Sequence, residues 1–126
     1  MYILAFDTTA GNCSIALLQD GRPVSVFAQT MDFGQAEVLI PQIKIMLEEQ
    51  NLRFSDLGLI AVCDGPGSFT GLRIGISAIK GMAFGTNKRC VSVSTLESAP
   101  AFPPPALSAS LARIFRLPAF RLLMLI

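Results

Sequence analysis

Two short stretches hold the residue types that can do chemistry. Asp7-Thr8-Thr9 places a carboxylate and two hydroxyls at the end of an apolar run, with Gly11 and Ser14 close behind. A carboxylate at a strand end, beside hydroxyls and a glycine turn, is able to hold a metal–phosphate group. The same residues also close a polar hairpin by bonding their own backbone. No lysine lies in the turn to meet a phosphate. The second stretch is Gly65-Pro66-Gly67-Ser68-Phe69-Thr70-Gly71, preceded by Asp64. Its glycines let the backbone turn sharply into a helix, whose first free N–H groups attract an anion. It lacks the lysine-containing end of a P-loop, and a tight turn with Ser68 as helix cap is the plainer account of it. Asp7 and Asp64 form a possible carboxylate pair at two strand ends. The chain has no histidine, so Ser68 and Thr70 lack the usual base and the commonest metal ligand is absent. Cys13, Cys63 and Cys90 are too widely spaced for a zinc motif. We expect no catalytic residue, no metal and no cofactor.

The elements that position these residues follow from the hydrophobic pattern. Tyr2–Phe6 is a buried strand ending in the polar turn, and Cys13–Leu18 is a second strand. Asp20-Gly21 is a hairpin signal, and Pro23–Thr30 supplies a third strand. Gln35–Gln50 is helical, with Asn51 as its stop. Leu57–Cys63 is a continuous apolar run of the kind found in buried parallel strands. A helix follows from Ser68 to about Gly85, then a last strand, Cys90–Ser94. The order is βββαβαβ: an α/β fold with a mixed sheet and helices packed on it.

Both helices carry more apolar surface than one buried side needs. On the first, Ala36, Ile40, Ile43 and Leu47 share a face at 100° per residue, while Val38 and Ile45 lie nearly opposite. On the second, Leu72, Ile76, Ile79 and Ala83 form a large apolar stripe. Gly71, Gly75, Ala78 and Met82 form a mostly small stripe beside it, and Arg73 and Lys80 share the narrow polar side. Glycine inside a helix costs about 1 kcal/mol against alanine. Gly71, Gly75, Gly81 and Gly85 therefore need a reason, and close approach of another backbone is the physical one. That neighbour is either the domain's own sheet or helix, or a partner's helix.

Composition divides the chain of 126 residues near residue 98. Residues 1–98 carry seven basic and nine acidic side chains, whereas residues 99–126 carry three arginines and no acid. All ten glycines precede the break. We expect one lobe over residues 1–98 and a Pro-, Leu- and Arg-rich tail over 99–126. The tail reads either as a basic amphipathic segment for a membrane surface or as a non-native end of the kind a reading-frame change produces. A net charge of +1 gives no global field for nucleic acid. Met1–Asp7 lacks the basic region of a signal peptide, and no uncharged apolar run reaches the roughly 18 residues of a membrane span. A cytoplasmic location is the expectation.

Tyr2–Thr9 (YILAFDTT), Cys13–Leu18 (CSIALL), Val91–Glu97 (VSVSTLE) and above all Asp64–Lys80 (DGPGSFTGLRIGISAIK) carry a resemblance. It is to the TsaB/YeaZ family of bacterial tRNA threonylcarbamoyladenosine biosynthesis proteins, historically labelled glycoprotease-like. The resemblance covers residues 1–98. It implies an RNase-H-like, actin-like lobe and a non-catalytic subunit that pairs, through helices of this lobe, with a TsaD-type catalytic subunit. A TsaE-type ATPase joins the pair, and tRNA is contacted only indirectly. On this chain the implied partner-binding residues are Val38, Ile45, Gly71, Leu72, Gly75, Ala78, Ile79 and Met82, and a homodimer through the same helices is the expectation when the partner is missing. Glutamate at Gly75 is expected to abolish pairing and leave the isolated fold partly intact. Gln35 stands where many relatives have histidine. The alternative is an ATP-binding phosphotransferase of the actin/sugar-kinase fold using Asp7, Thr8 and Thr9. A peptidase lacks any nucleophile–base pair here.

Overall fold

A computed structural model of the chain describes residues 1–8, 12–31, 34–63 and 69–93. The Gly65–Ser68 turn, Thr9 and the 99–126 tail, on which some of the expectations fall, lie outside the described residues. The order βββαβαβ is the order found: β1 (Tyr2–Asp7), β2 (Asn12–Gln19), β3 (Arg22–Thr30), α1 (Gln35–Glu49), β4 (Leu57–Cys63), α2 (Phe69–Thr86) and β5 (Cys90–Val93), with a 3-10 turn at Phe54–Asp56. The strands form one mixed sheet in the order β3-β2-β1-β4-β5. β1, β2 and β3 pair antiparallel, whereas β4 lies parallel to both β1 and β5. Parallel neighbours cannot be joined by a hairpin, so α2 serves as the crossover between β4 and β5.

Local chemistry fixes the corners. Asp20 and Gly21 both have positive φ (51° and 83°), which is the backbone of the hairpin turn that matches strand twist. The N-terminal ammonium of Met1 pairs with Asp20 at 2.5 Å and closes this end of the sheet. Asn51 (φ 56°) ends α1 as expected. Its N–H reaches the Glu48 carbonyl, and the Leu52 N–H reaches Leu47, so two carbonyls left over at the helix end are satisfied. The start of α1 is held by Gln35, whose Nε2 donates to the Met31 carbonyl at 3.2 Å.

The core is the layer between the sheet and the two helices. Leu4, Phe6, Ile15, Leu17, Ile60 and Val62 point from the strands onto one face and meet Leu39, Ile43, Met46, Ile79 and Met82. α1 lies over β2, and α2 lies over β4. Ile3, Ala5, Ala16, Leu18, Leu59 and Ala61 alternate onto the other face and are buried as well, which is why β1, β2 and β4 read as continuous apolar runs.

Both helices are rotated from the stripes expected. α1 buries Gln35, Leu39, Ile43, Met46 and Leu47. Ala36 and Ile40, expected in the core, instead look toward α2. α2 buries Gly71, Gly75, Ile79 and Met82, so the small stripe rather than the Leu72–Ile76 side packs on the sheet.

Candidate functional site

Thr8 is the first residue beyond β1 and is fully buried. Its hydroxyl donates to the Gly71 carbonyl at 2.6 Å. The Thr8 side chain thus stitches the end of β1 to the first turn of α2. Asp7 and Ser14 sit opposite one another across β1 and β2, both nearly buried and both engaged in polar contacts. Asp64 lies outside the described residues. Among the described residues no group of three or more potential ligands could hold a metal ion.

The Thr8 bond explains two of the four glycines. A Cβ built on Gly75 would sit 3.0 Å from Thr8 Oγ1 and 3.1 Å from Val62 Cγ2, with Phe6 behind them. Gly71 is buried and carries the carbonyl that Thr8 uses. Four residues expected to face a partner (Gly71, Gly75, Ile79 and Met82) are therefore turned to the domain's own sheet. The close approach that Gly71 and Gly75 permit is intramolecular. Val38, Leu72 and Ala78 are half-buried, and Ile45 is 45% exposed.

Gly81 and Gly85 behave differently. A Cβ added at either would meet nothing within 4 Å. They line the outer side of α2, where it leaves an open groove against α1. One stretch of about 490 Å³ is walled by Ala36, Leu39 and Ile40 of α1 and by Thr70, Arg73, Ile74, Ser77 and Ala78 of α2. A second, of about 420 Å³, shares Ile40, Ser77 and Ala78 with the first and runs on past Phe54 to Gly81 and Gly85. The walls are mostly aliphatic. Exposed aromatic residues stand at the two ends of α2: Phe69 is 72% exposed and Phe84 is 95% exposed. The sequence reading missed Ser77 as a member of this surface. The i, i+4, i+8 spacing of Ser77, Gly81 and Gly85 was the signal available for it.

Gly81 carries a measurable consequence. Gly81→Ala will stabilise the isolated chain by about 1 kcal/mol, because alanine is the better helix former and the space is open. Thermal or urea unfolding of the two proteins checks this.

The two described thiols differ in the same geometric way. Cys13 is fully buried among the core residues under α1. Burial, and secondarily the Asp7 carboxylate, push its thiol up to about 11 from an ordinary value of 9.0. Cys90 is exposed on β5, with a smaller upward shift caused by burial. At pH 8 an alkylating reagent will modify Cys90 in the folded chain and Cys13 only after unfolding. The Cys13 thiolate is favoured in the unfolded state, so its contribution to stability is intact below pH about 9 and is lost as pH rises toward about 11.

Comparisons with known proteins agree with this architecture. The family model for TsaD, tRNA N6-adenosine threonylcarbamoyltransferase, matches residues 34–101, more than half of the chain. The tRNA threonylcarbamoyladenosine biosynthesis protein TsaB of Escherichia coli is 36% identical over 96 residues, which is 76% of this chain and 41% of that protein. A tRNA N6-adenosine threonylcarbamoyltransferase of Dictyoglomus turgidum is 30% identical, over 77% of this chain and 34% of its own length. The solved structure of YeaZ from Pseudomonas aeruginosa superposes with a TM-score of 0.72 at 35% identity, covering 77% of this chain and 45% of that one. The chain thus spans under half the length of these relatives.

Proposed function

Since the chain belongs to the family of the TsaD model, in its TsaB/YeaZ group, we propose that it acts in threonylcarbamoyl modification of tRNA adenosine as a non-catalytic scaffold. In this reading it pairs with a TsaD-type catalytic subunit and holds it in a stable form. A TsaE-type ATPase joins the pair, and tRNA is met through the partner. The setting is cytoplasmic; no described helix is long and apolar enough to cross a membrane.

One observation carries the reading. Gly81 and Gly85 are helical glycines beside which an added Cβ finds no neighbour within 4 Å, and they lie along an aliphatic groove close to the nearly bare ring of Phe84. A helix interior that keeps glycine without an internal reason gives up about 1 kcal/mol per residue. A partner helix laid against α2 supplies the missing reason, because backbones approach closely only over small side chains. The relatives named as threonylcarbamoyltransferases share this fold region, so a homologous lobe is a fitting mate.

Mixing the full chain with a TsaD-type subunit and sizing the mixture by light scattering tests the reading. A one-to-one complex is the expected result. Separate elution of the two proteins at concentrations well above micromolar would remove it.

A further inference from the structure

Among the described residues, Arg73 is the one charged residue lining the groove stretch between the first turns of α1 and α2. Its guanidinium carbon lies 5.5 Å from the centroid of the exposed Phe69 ring, within the range of a cation–π contact. Among the described residues Arg73 has no ion pair. α2 itself carries Arg73 and Lys80 and no acidic residue between Phe69 and Thr86, while Glu37 stands in the first turn of α1 and forms no ion pair with Arg73. A guanidinium stacked on a ring keeps its edge free, and that edge matches the two oxygens of a carboxylate.

Resting on the pairing reading above, we propose that Arg73 is the specificity-determining cation of this face, and that the helix seated in the groove carries an aspartate or glutamate opposite it. The floor of aliphatic side chains fits an apolar helix ridge. It does not fit a phosphate backbone, which needs several cations rather than one. Arg73 acts at the entrance of the groove. It selects a mate with an acidic residue in register and leaves the apolar contacts to supply most of the burial. Such rim charges act on association rate and salt dependence more than on total area.

The test is calorimetric titration of full-length variants into the TsaD-type subunit at two salt concentrations. Arg73→Glu should weaken pairing about tenfold or more, because it sets two like charges together. It should also reverse the sign of this contact's salt dependence, because added salt then screens a repulsion instead of an attraction. Arg73→Lys should weaken pairing several-fold, less than Arg73→Glu, since the charge remains while the fork and the stacking are lost. Both variants should melt like the parent, because Arg73 is exposed. Arg73→Glu pairing as tightly as the parent, with the same salt slope, would overturn the proposal. Ser77→Trp, which fills the groove, separates the two readings. Loss of pairing with Ser77→Trp alone leaves the groove reading standing and removes the role of Arg73. Normal pairing by both variants removes both readings. If the chain alone binds tRNA and Arg73→Glu abolishes that binding, the acidic-helix proposal is overturned.

Discussion

Replacing Gly75 by glutamate will unfold the isolated chain. A Cβ at this position already falls 3.0 Å from Thr8 Oγ1 and 3.1 Å from Val62 Cγ2, and the residue is buried between α2 and β1/β4. A carboxylate there has no water and nowhere to go. It must either displace α2 from the sheet or take up a proton, and either course costs several kcal/mol, of the order of 4 or more. A small domain has only about 5–15 kcal/mol in total. Gly75→Ala should be milder, about 1–2 kcal/mol, because Thr8 and Val62 need to give by only a few tenths of an ångström. Urea unfolding monitored by circular dichroism distinguishes the series. The expectation that Gly75→Glu would abolish pairing and leave the isolated fold partly intact is corrected by this geometry: its failure to pair would report lost structure.

The second large effect is the reverse: Ser77→Trp will leave the fold intact and abolish pairing. Ser77 is exposed and lines both stretches of the groove. Its side chain is not in the core, so substitution should change stability by no more than about 0.5 kcal/mol. An indole at this place fills the groove midway along α2, where the proposed mate would lie. Helix pairs pack at roughly 8–10 Å between axes, and an inserted indole forces them apart over several turns. Pairing weakened a hundredfold or more, about 2.7 kcal/mol, is the expected outcome. Unfolding curves that overlay those of the parent would show that the loss is one of interface. Set beside Gly75→Glu, this variant separates the two sides of α2 by experiment.

The fold was legible because its signals are local and agree with one another. Asp20-Gly21 specifies the hairpin through two positive φ angles, and Asn51 ends α1 through a third. The apolar run Leu57–Cys63 announces a strand buried on both faces. The rotation of the helices was not legible. α1 has apolar residues at 38, 39, 40, 43, 45, 46 and 47, nearly all round the helix. Angular arithmetic then finds several stripes, and only the placement over β2 selects Leu39, Ile43, Met46 and Leu47. The glycines of α2 posed the same difficulty. A glycine has no side chain to say which way it faces, so Gly75 and Gly81 look alike in sequence. Thr8 decides between them: its buried hydroxyl reaches Gly71 and crowds Gly75. In the sequence Thr8 looked like part of a polar turn, with nothing to mark its distant partner on α2.

Coverage of the outer side of α2 by another polypeptide is the central claim, and a thiol placed there reads that coverage directly. The Ser77→Cys variant should be alkylated quickly at position 77 in the free chain. In the complex with the TsaD-type subunit the same thiol should react at least about tenfold more slowly, as a side chain taken out of water does. Cys90, which does not line the groove, should keep its rate and serves as the internal standard. A complex that forms while the introduced thiol reacts as fast as in the free chain would contradict the claim.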